Sequence, residues 1–220
     1  MIFQDRQDAG KRLARELLRF KASDPIVLAL PRGGVPVAFE IARALEAPLD
    51  LVLVRKIGAP DQPELAVGAV VDGEKTEIVV NEDVLEALAL SESFVRECAA
   101  REIEEIERRR RLYLSGRDRV PVAGKTALVV DDGIATGATM RAALRAVRRR
   151  QPSRLVLAVP VAPAETVESL RSEVDEVVCL STPSFFGAIG YFYHDFRQVD
   201  DDEVRRLLAE AAPQHTASAE

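Results

Sequence analysis

Residues 129–139 read Val-Val-Asp-Asp-Gly-Ile-Ala-Thr-Gly-Ala-Thr. An apolar run closing at Val130 delivers two consecutive carboxylates, Asp131 and Asp132, to its end. Gly133 and Gly137 permit tight turns and a close approach of backbone to a ligand. Ala135, Thr136, Gly137, Ala138 and Thr139 then lead into an amphipathic stretch with Met140, Ala143, Leu144 and Val147 on one side. The free N–H groups of a helix's first turn, helped by its dipole, make a site for a phosphate. Thr136 and Thr139 can add hydroxyl donors. The carboxylates on the other side can accept hydrogen bonds from vicinal hydroxyls and can face a cation. A sugar phosphate matches both halves.

Rival phosphate motifs are absent: there is no GxxxxGK[ST], and no GxGxxG after a strand. An Asp-Gly turn alone would be a generic acidic turn. The combination of apolar strand, two acids, Thr-Gly-x-Thr and amphipathic helix is far more specific.

Such a loop needs a sheet to carry it. Five short apolar runs, 26–30, 50–54, 126–130, 155–161 and 176–180, alternate with helical patterns and predict a mainly parallel five-stranded sheet. The helical patterns fall at 8–20, at 36–45 with Pro36 in a first turn, at 139–151, near 164–173 and at 201–211. This is an α/β three-layer sandwich. Two stretches interrupt the alternation. Residues 65–71 and 76–80 flank Asp72-Gly73-Glu74-Lys75 and read as an antiparallel hairpin. A charged helical stretch follows from about 82 to 114, broken near Ser91–Ser93 and stopped by Gly116. The second interruption, 181–197, is rich in aromatics: Phe185, Phe186, Tyr191, Phe192, Tyr193 and Phe196 all fall within it.

Val129–Met140 resembles the 5-phosphoribosyl-1-pyrophosphate (PRPP) signature of the type I phosphoribosyltransferases, and the strand plan fits that family from about residue 8 to 180. The resemblance implies one phosphoribosyltransferase domain over 1–212, with an insertion at 56–116, an aromatic hood at 181–197 and a flexible tail at 213–220. It implies that Asp131 and Asp132 contact the ribose hydroxyls, facing a magnesium ion indirectly. Ala135 through Thr139 would bind the 5′-phosphate, with Gly133 also among the PRPP-binding residues. The first strand should lie beside the strand that carries this loop, so that a crevice opens between their ends.

The first strand ends in Pro31-Arg32-Gly33-Gly34, matching the short loop that in the family holds pyrophosphate, often through a strained or cis peptide. Arg32 would pair with phosphate and act as a catalytic group beside Asp131 and Asp132, while Gly33 and Gly34 could take unusual backbone angles. Arg55 and Lys56 would end the next strand near the pyrophosphate. Residues 56–82 would correspond to a mobile loop that closes over the site. In the aromatic segment, Phe185, Phe186, Tyr191 and Tyr193, with His194 or Asp195, would frame a planar acceptor.

The implied reaction passes the phosphoribosyl group from PRPP to a nitrogenous acceptor. Family members acting on 6-oxopurines carry a second acid just before Thr-Gly; here that position is Ala135. Adenine stays open, and the acceptor is unassigned. The alternative is a non-catalytic sensor of PRPP with the same fold.

The bulk numbers agree with a small-molecule enzyme. The 220-residue chain carries a net charge of −6, which argues against a nucleic-acid partner. Two cysteines and two histidines make neither a disulfide framework nor a metal cluster. No apolar run approaches ~18 residues, so no membrane partner is expected, and the charged N-terminus points to the cytoplasm. A homodimer would be usual for the family.

Overall fold

A computed structural model describes residues 2–60, 62–72, 76–117 and 119–211. The parallel sheet consists of β1 (Pro25–Ala29), β2 (Leu49–Leu51), β6 (Thr126–Val130), β7 (Arg154–Val161) and β8 (Glu176–Ser181), in the order β2-β1-β6-β7-β8. Every neighbouring pair is parallel, and β1 and β6 are in register from Pro25↔Thr126 to Ala29↔Val130. Strand order therefore reverses between β1 and β6, which opens a crevice at their C-terminal ends.

The inner strands β1, β6 and β7 are apolar apart from Thr126 and Arg154 at their starts, because the middle of the sheet is covered on both faces. Along β7, Val156 and Ala158 join one core cluster while Leu155, Leu157 and Val159 join the other. Val27 and Ala29 of β1 likewise face one side, with Ile26 and Leu28 facing the other. The first cluster is closed by α1 (Arg6–Leu17), α2 (Gly34–Leu45) and α7 (Asp201–Ala211). The second is closed by α5 (Ala138–Arg149) and α6 (Ala164–Leu170). Pro36 sits in the first turn of α2, where its missing N–H would have no intrahelical acceptor.

The antiparallel hairpin read in the sequence is present as β4 (Gln62–Val71) and β5 (Glu77–Val80), and an unexpected third strand, β3 (Val54–Ala59), pairs with β4 to make a three-stranded antiparallel sheet. The parallel strand expected at 50–54 ends at Leu51, and Val54 already belongs to β3. Arg55 and Lys56 therefore lie inside an antiparallel strand rather than at a parallel strand's tip. Most of the stretch expected to be a mobile loop is this sheet; Asp61 and residues 73–75 lie outside the described residues, as does the tail expected at 213–220.

The small sheet is filled between α5 and α4 (Glu92–Leu114), so β4 also has two apolar faces: Val67 and Val70 to one cluster, Ala69 and Val71 to the other. The break before α4 follows a short α3 (Glu82–Ala87), and Ser91 caps α4 by accepting from the Phe94 N–H.

The segment after β8 folds back over the sheet ends. Residues Ile189–Phe192 form one 3-10 turn, and Tyr193 bridges Phe3 near the N-terminus. Backbone bonds from Phe3 N–H to the Phe192 carbonyl (2.8 Å) and from His194 N–H to the Phe3 carbonyl (2.9 Å) secure the pairing.

Candidate functional site

β6 ends at Val130, and the next two residues are the paired acids. Asp132 is buried at 8 % exposure; Asp131 is less so. The Asp132 N–H donates to Asp131 Oδ1 at 2.9 Å, which holds the Asp131 carboxylate against the backbone of Asp132. Burial, reinforced by the neighbouring Asp132 charge, holds the Asp131 carboxyl well above the usual carboxylate range. Burial raises Asp132 too, against an opposing pull from Arg6.

The rest of the loop is tied from three sides. The Tyr193 hydroxyl donates to the Asp132 carbonyl at 2.5 Å, the Ile134 N–H to the Val161 carbonyl at 3.0 Å, and the Thr166 hydroxyl to the Ala135 carbonyl at 2.8 Å. Gly137 takes φ +80° at the N-cap of α5, a left-handed conformation that favours glycine. Ala135, Thr136 and Thr139 are exposed, and no side chain caps the start of α5.

The loop after β1 lies directly against the acids. The Leu30 N–H donates to the Val130 carbonyl at 2.9 Å, and the Pro31–Arg32 peptide is cis. A methyl group added at Gly33 would sit 2.0 Å from Asp132 Oδ2; one at Gly34 would sit 2.8 Å from the Val130 carbonyl and 3.2 Å from Asp131 Oδ1. The expectation that these glycines serve unusual angles is corrected: Gly33 has φ −60° and ψ −34°, ordinary helical values. They are glycines because the acids occupy the space that a side chain would need. The Arg32 guanidinium is 3.6 Å from Asp201 Oδ1, and that same oxygen accepts from the Tyr113 hydroxyl. Burial and this acid push the Tyr113 phenol up to about 12.

Not every expected residue arrives at the crevice. Arg55 donates from Nε to Glu102 of α4 at 2.6 Å, so its charge is engaged within the insertion and not on the 31–34 loop. Lys56 lines a cleft of about 360 Å³ between the small sheet and the start of α5, together with Thr136, Ala138 and Thr139. That places it beside the start of α5 rather than at the 31–34 loop.

Of the hood aromatics, Phe185 and Tyr191 are 80 % and 71 % exposed, while Phe186 is stacked on Phe192 with centroids 5.3 Å apart. Tyr193 departs from the expected acceptor role. Its ring is buried between Phe3 (5.4 Å) and Phe196 (4.9 Å), leaving no face for a ligand. Its hydroxyl positions the Asp132 backbone instead, and its phenol is pushed upward by burial. Asp195 is paired with Arg197 at 2.6 Å.

Three contributors carried no sequence signal: Arg6, whose Nε is 2.7 Å from Asp132 Oδ2, Thr166 and Asp201. Arg6 and Asp132 are separated by 126 positions, so only the tertiary fold brings them together.

An acidic strand tip, a helix-start cradle and a glycine loop, joined at the reversal point of a five-stranded parallel sheet, define a phosphoribosyltransferase-type domain. Known proteins agree: the phosphoribosyl transferase domain family matches residues 2–197, and the chain belongs to it. Two Mycobacterium tuberculosis proteins, named "Putative phosphoribosyl transferase MT0597" and "Putative phosphoribosyl transferase Rv0571c", are each 46 % identical over 210 residues, covering 96 % of this chain and 47 % of their own length. The chain thus spans about half the length of those relatives. The crystal structure of TT1426 from Thermus thermophilus is similar at 44 % identity and a TM-score of 0.83, covering 96 % of this chain and 100 % of that one. Among the described residues no helix is long and apolar enough to cross a membrane.

Proposed function

We propose that this chain transfers the 5-phosphoribosyl group of PRPP to a nitrogenous acceptor, a nucleobase in our reading, with release of pyrophosphate. The observation that carries this reading is the direct packing of Asp131 and Asp132 against Gly33 and Gly34, with the open start of α5 alongside. One bound donor can then meet all three features: 5′-phosphate at Ala135–Thr139, ribose hydroxyls at the acids, and pyrophosphate at residues 31–34.

In the reaction the C1–oxygen bond breaks and its electron pair leaves with pyrophosphate. A nitrogen lone pair forms the new bond to C1, and the nitrogen's proton passes to solvent or to the pyrophosphate. The positive charge that develops at C1 is stabilised by the nearby acids, and the departing phosphates are stabilised by Arg32. Orientation of the two reactants supplies much of the rate.

Magnesium fits the charge count. Arg6 brings one positive charge to two carboxylates. Among the described residues no group of three or more His, Cys, Asp or Glu could hold a metal alone, so the ion would arrive on the donor. Bound there, it supplies charge neutralisation for the leaving group. Asp131 and Asp132 would face it through hydroxyls or water. Phe185 and Tyr191, the exposed aromatics of the hood, are the residues we assign to stacking on the acceptor, with Phe186 beside them. The setting is the cytoplasm.

The test is incubation with magnesium-PRPP and a panel of nucleobases, following pyrophosphate release. Release that depends on one base supports the transferase. Donor binding with no release for any base supports a PRPP sensor instead.

A further inference from the structure

Arg6 opens α1, which packs on the face of the sheet formed with β7 and β8 and so fixes where the side chain starts. The guanidinium is fastened at several points. Nε donates to Asp132 Oδ2 at 2.7 Å, with the two side chains only 12 % and 11 % exposed. Nη1 donates to the Arg197 carbonyl at 2.8 Å, and the group lies over the Phe196 ring, 3.9 Å from its centroid. Phe196 stacks on Tyr193, whose hydroxyl holds the Asp132 carbonyl. One guanidinium–aromatic stack, built from both ends of the chain, therefore grips Asp132 by its side chain and its backbone.

The same carboxylate oxygen, Oδ2, occupies the space beside Gly33. With Oδ2 confined by Arg6 and Gly33, the carboxylate has one orientation. We propose that Arg6 is a positioning residue for the donor: by binding Asp132 Oδ2 it fixes the orientation in which the Asp132 carboxylate meets the sugar. This rests on the transferase reading above. A lysine cannot reproduce the effect fully, because its point charge lacks the planar fork that reaches Asp132 and the Arg197 carbonyl together. Removing one partner of a buried pair also leaves the other charge uncompensated, which is costly.

The experiment is a calorimetric titration of magnesium-PRPP into wild type, Arg6→Ala, Asp132→Asn and the double variant, with thermal melts alongside. If Arg6 acts through Asp132, Arg6→Ala weakens donor binding about tenfold or more, and the double variant binds no worse than Asp132→Asn alone. A purely structural role for Arg6 predicts losses that multiply. Arg6→Lys should recover part of the affinity. Should Arg6→Ala fail to fold, Arg6→Lys carries the test: binding weaker than wild type at an unchanged melting temperature is expected. Wild-type affinity in Arg6→Ala or Arg6→Lys, or multiplied losses in the double variant, overturns the proposal. Wild type failing to bind the donor overturns the transferase reading itself, whereas wild-type binding that Arg6→Ala leaves intact overturns only the role of Arg6.

Discussion

Gly33→Ala is the sharpest steric probe of the site. The backbone there is ordinary, at φ −60° and ψ −34°, so alanine meets no conformational penalty. The whole effect comes from space. The added methyl would lie 2.0 Å from Asp132 Oδ2, where ordinary contact begins at 3.4 Å, so the oxygen must retreat by about 1.4 Å. Arg6 holds that oxygen at 2.7 Å, and Tyr193 holds the same residue's carbonyl, so the carboxylate cannot swing away freely. A displacement near 1 Å in a reacting group costs roughly a hundredfold in function. Overpacking of this kind destabilises by about 1–3 kcal/mol, a drop of a few degrees in melting temperature for a domain of this size. We expect magnesium-PRPP affinity, read by calorimetry, to fall about a hundredfold while the protein stays folded. Gly34→Ala should behave differently. Its methyl would strike backbone, the Val130 carbonyl at 2.8 Å and Asp131 Cα at 2.9 Å, so stability should suffer more. A folded Gly33→Ala protein with wild-type donor affinity would refute the claim that Asp132 is held in place for the sugar.

Asp131 has its carboxyl held above the ordinary value of 3.8 by burial and by Asp132. The folded state therefore binds its proton more tightly than the unfolded state, and stability falls as pH rises from the unfolded value towards the folded one. Asp131→Asn should accordingly melt above wild type at pH ~8, with the difference shrinking as pH approaches about 4; a lower melting temperature than wild type at pH ~8 would contradict this. Tyr193→Phe leaves the Asp132 carbonyl without its buried donor and should cost about 1–3 kcal/mol by denaturant unfolding. It should also weaken donor binding severalfold, because Asp132 loses a tether; unchanged stability would show the hydroxyl to be idle.

The parts of the fold legible in the sequence are those fixed by short-range chemistry. The inner parallel strands are nearly continuous apolar runs because both faces are covered, and the helices around them have plain amphipathic spacing. The strand tip with its acids and the Thr-Gly-x-Thr entry to α5 form one contiguous segment, so this strand–loop–helix unit could be read directly. The insertion was harder. β3 follows β2 after only two residues, and apolar continuity from Leu51 to Val54 hid the boundary. Arg55 and Lys56 then looked like the crown of a parallel strand. Arg6 and Thr166 were invisible for a different reason. They reach the acidic loop from remote parts of the chain, one through a distant carboxylate and the other through a backbone carbonyl. No local spacing encodes such contacts. Aromatic clustering at 185–196 marked the hood as a unit, but composition cannot separate Tyr193, which is buried, from Tyr191, which faces solvent.

The most direct measurement is the affinity of the Asp131→Asn, Asp132→Asn double variant for magnesium-PRPP, compared with wild type by calorimetry, with circular dichroism to establish folding. The paired carboxylates are assigned the ribose hydroxyls, so affinity should drop by about a hundredfold or more, since hydrogen bonds to charged groups contribute about 1.5–3 kcal/mol each. A folded double variant that binds the donor as tightly as wild type would contradict the account.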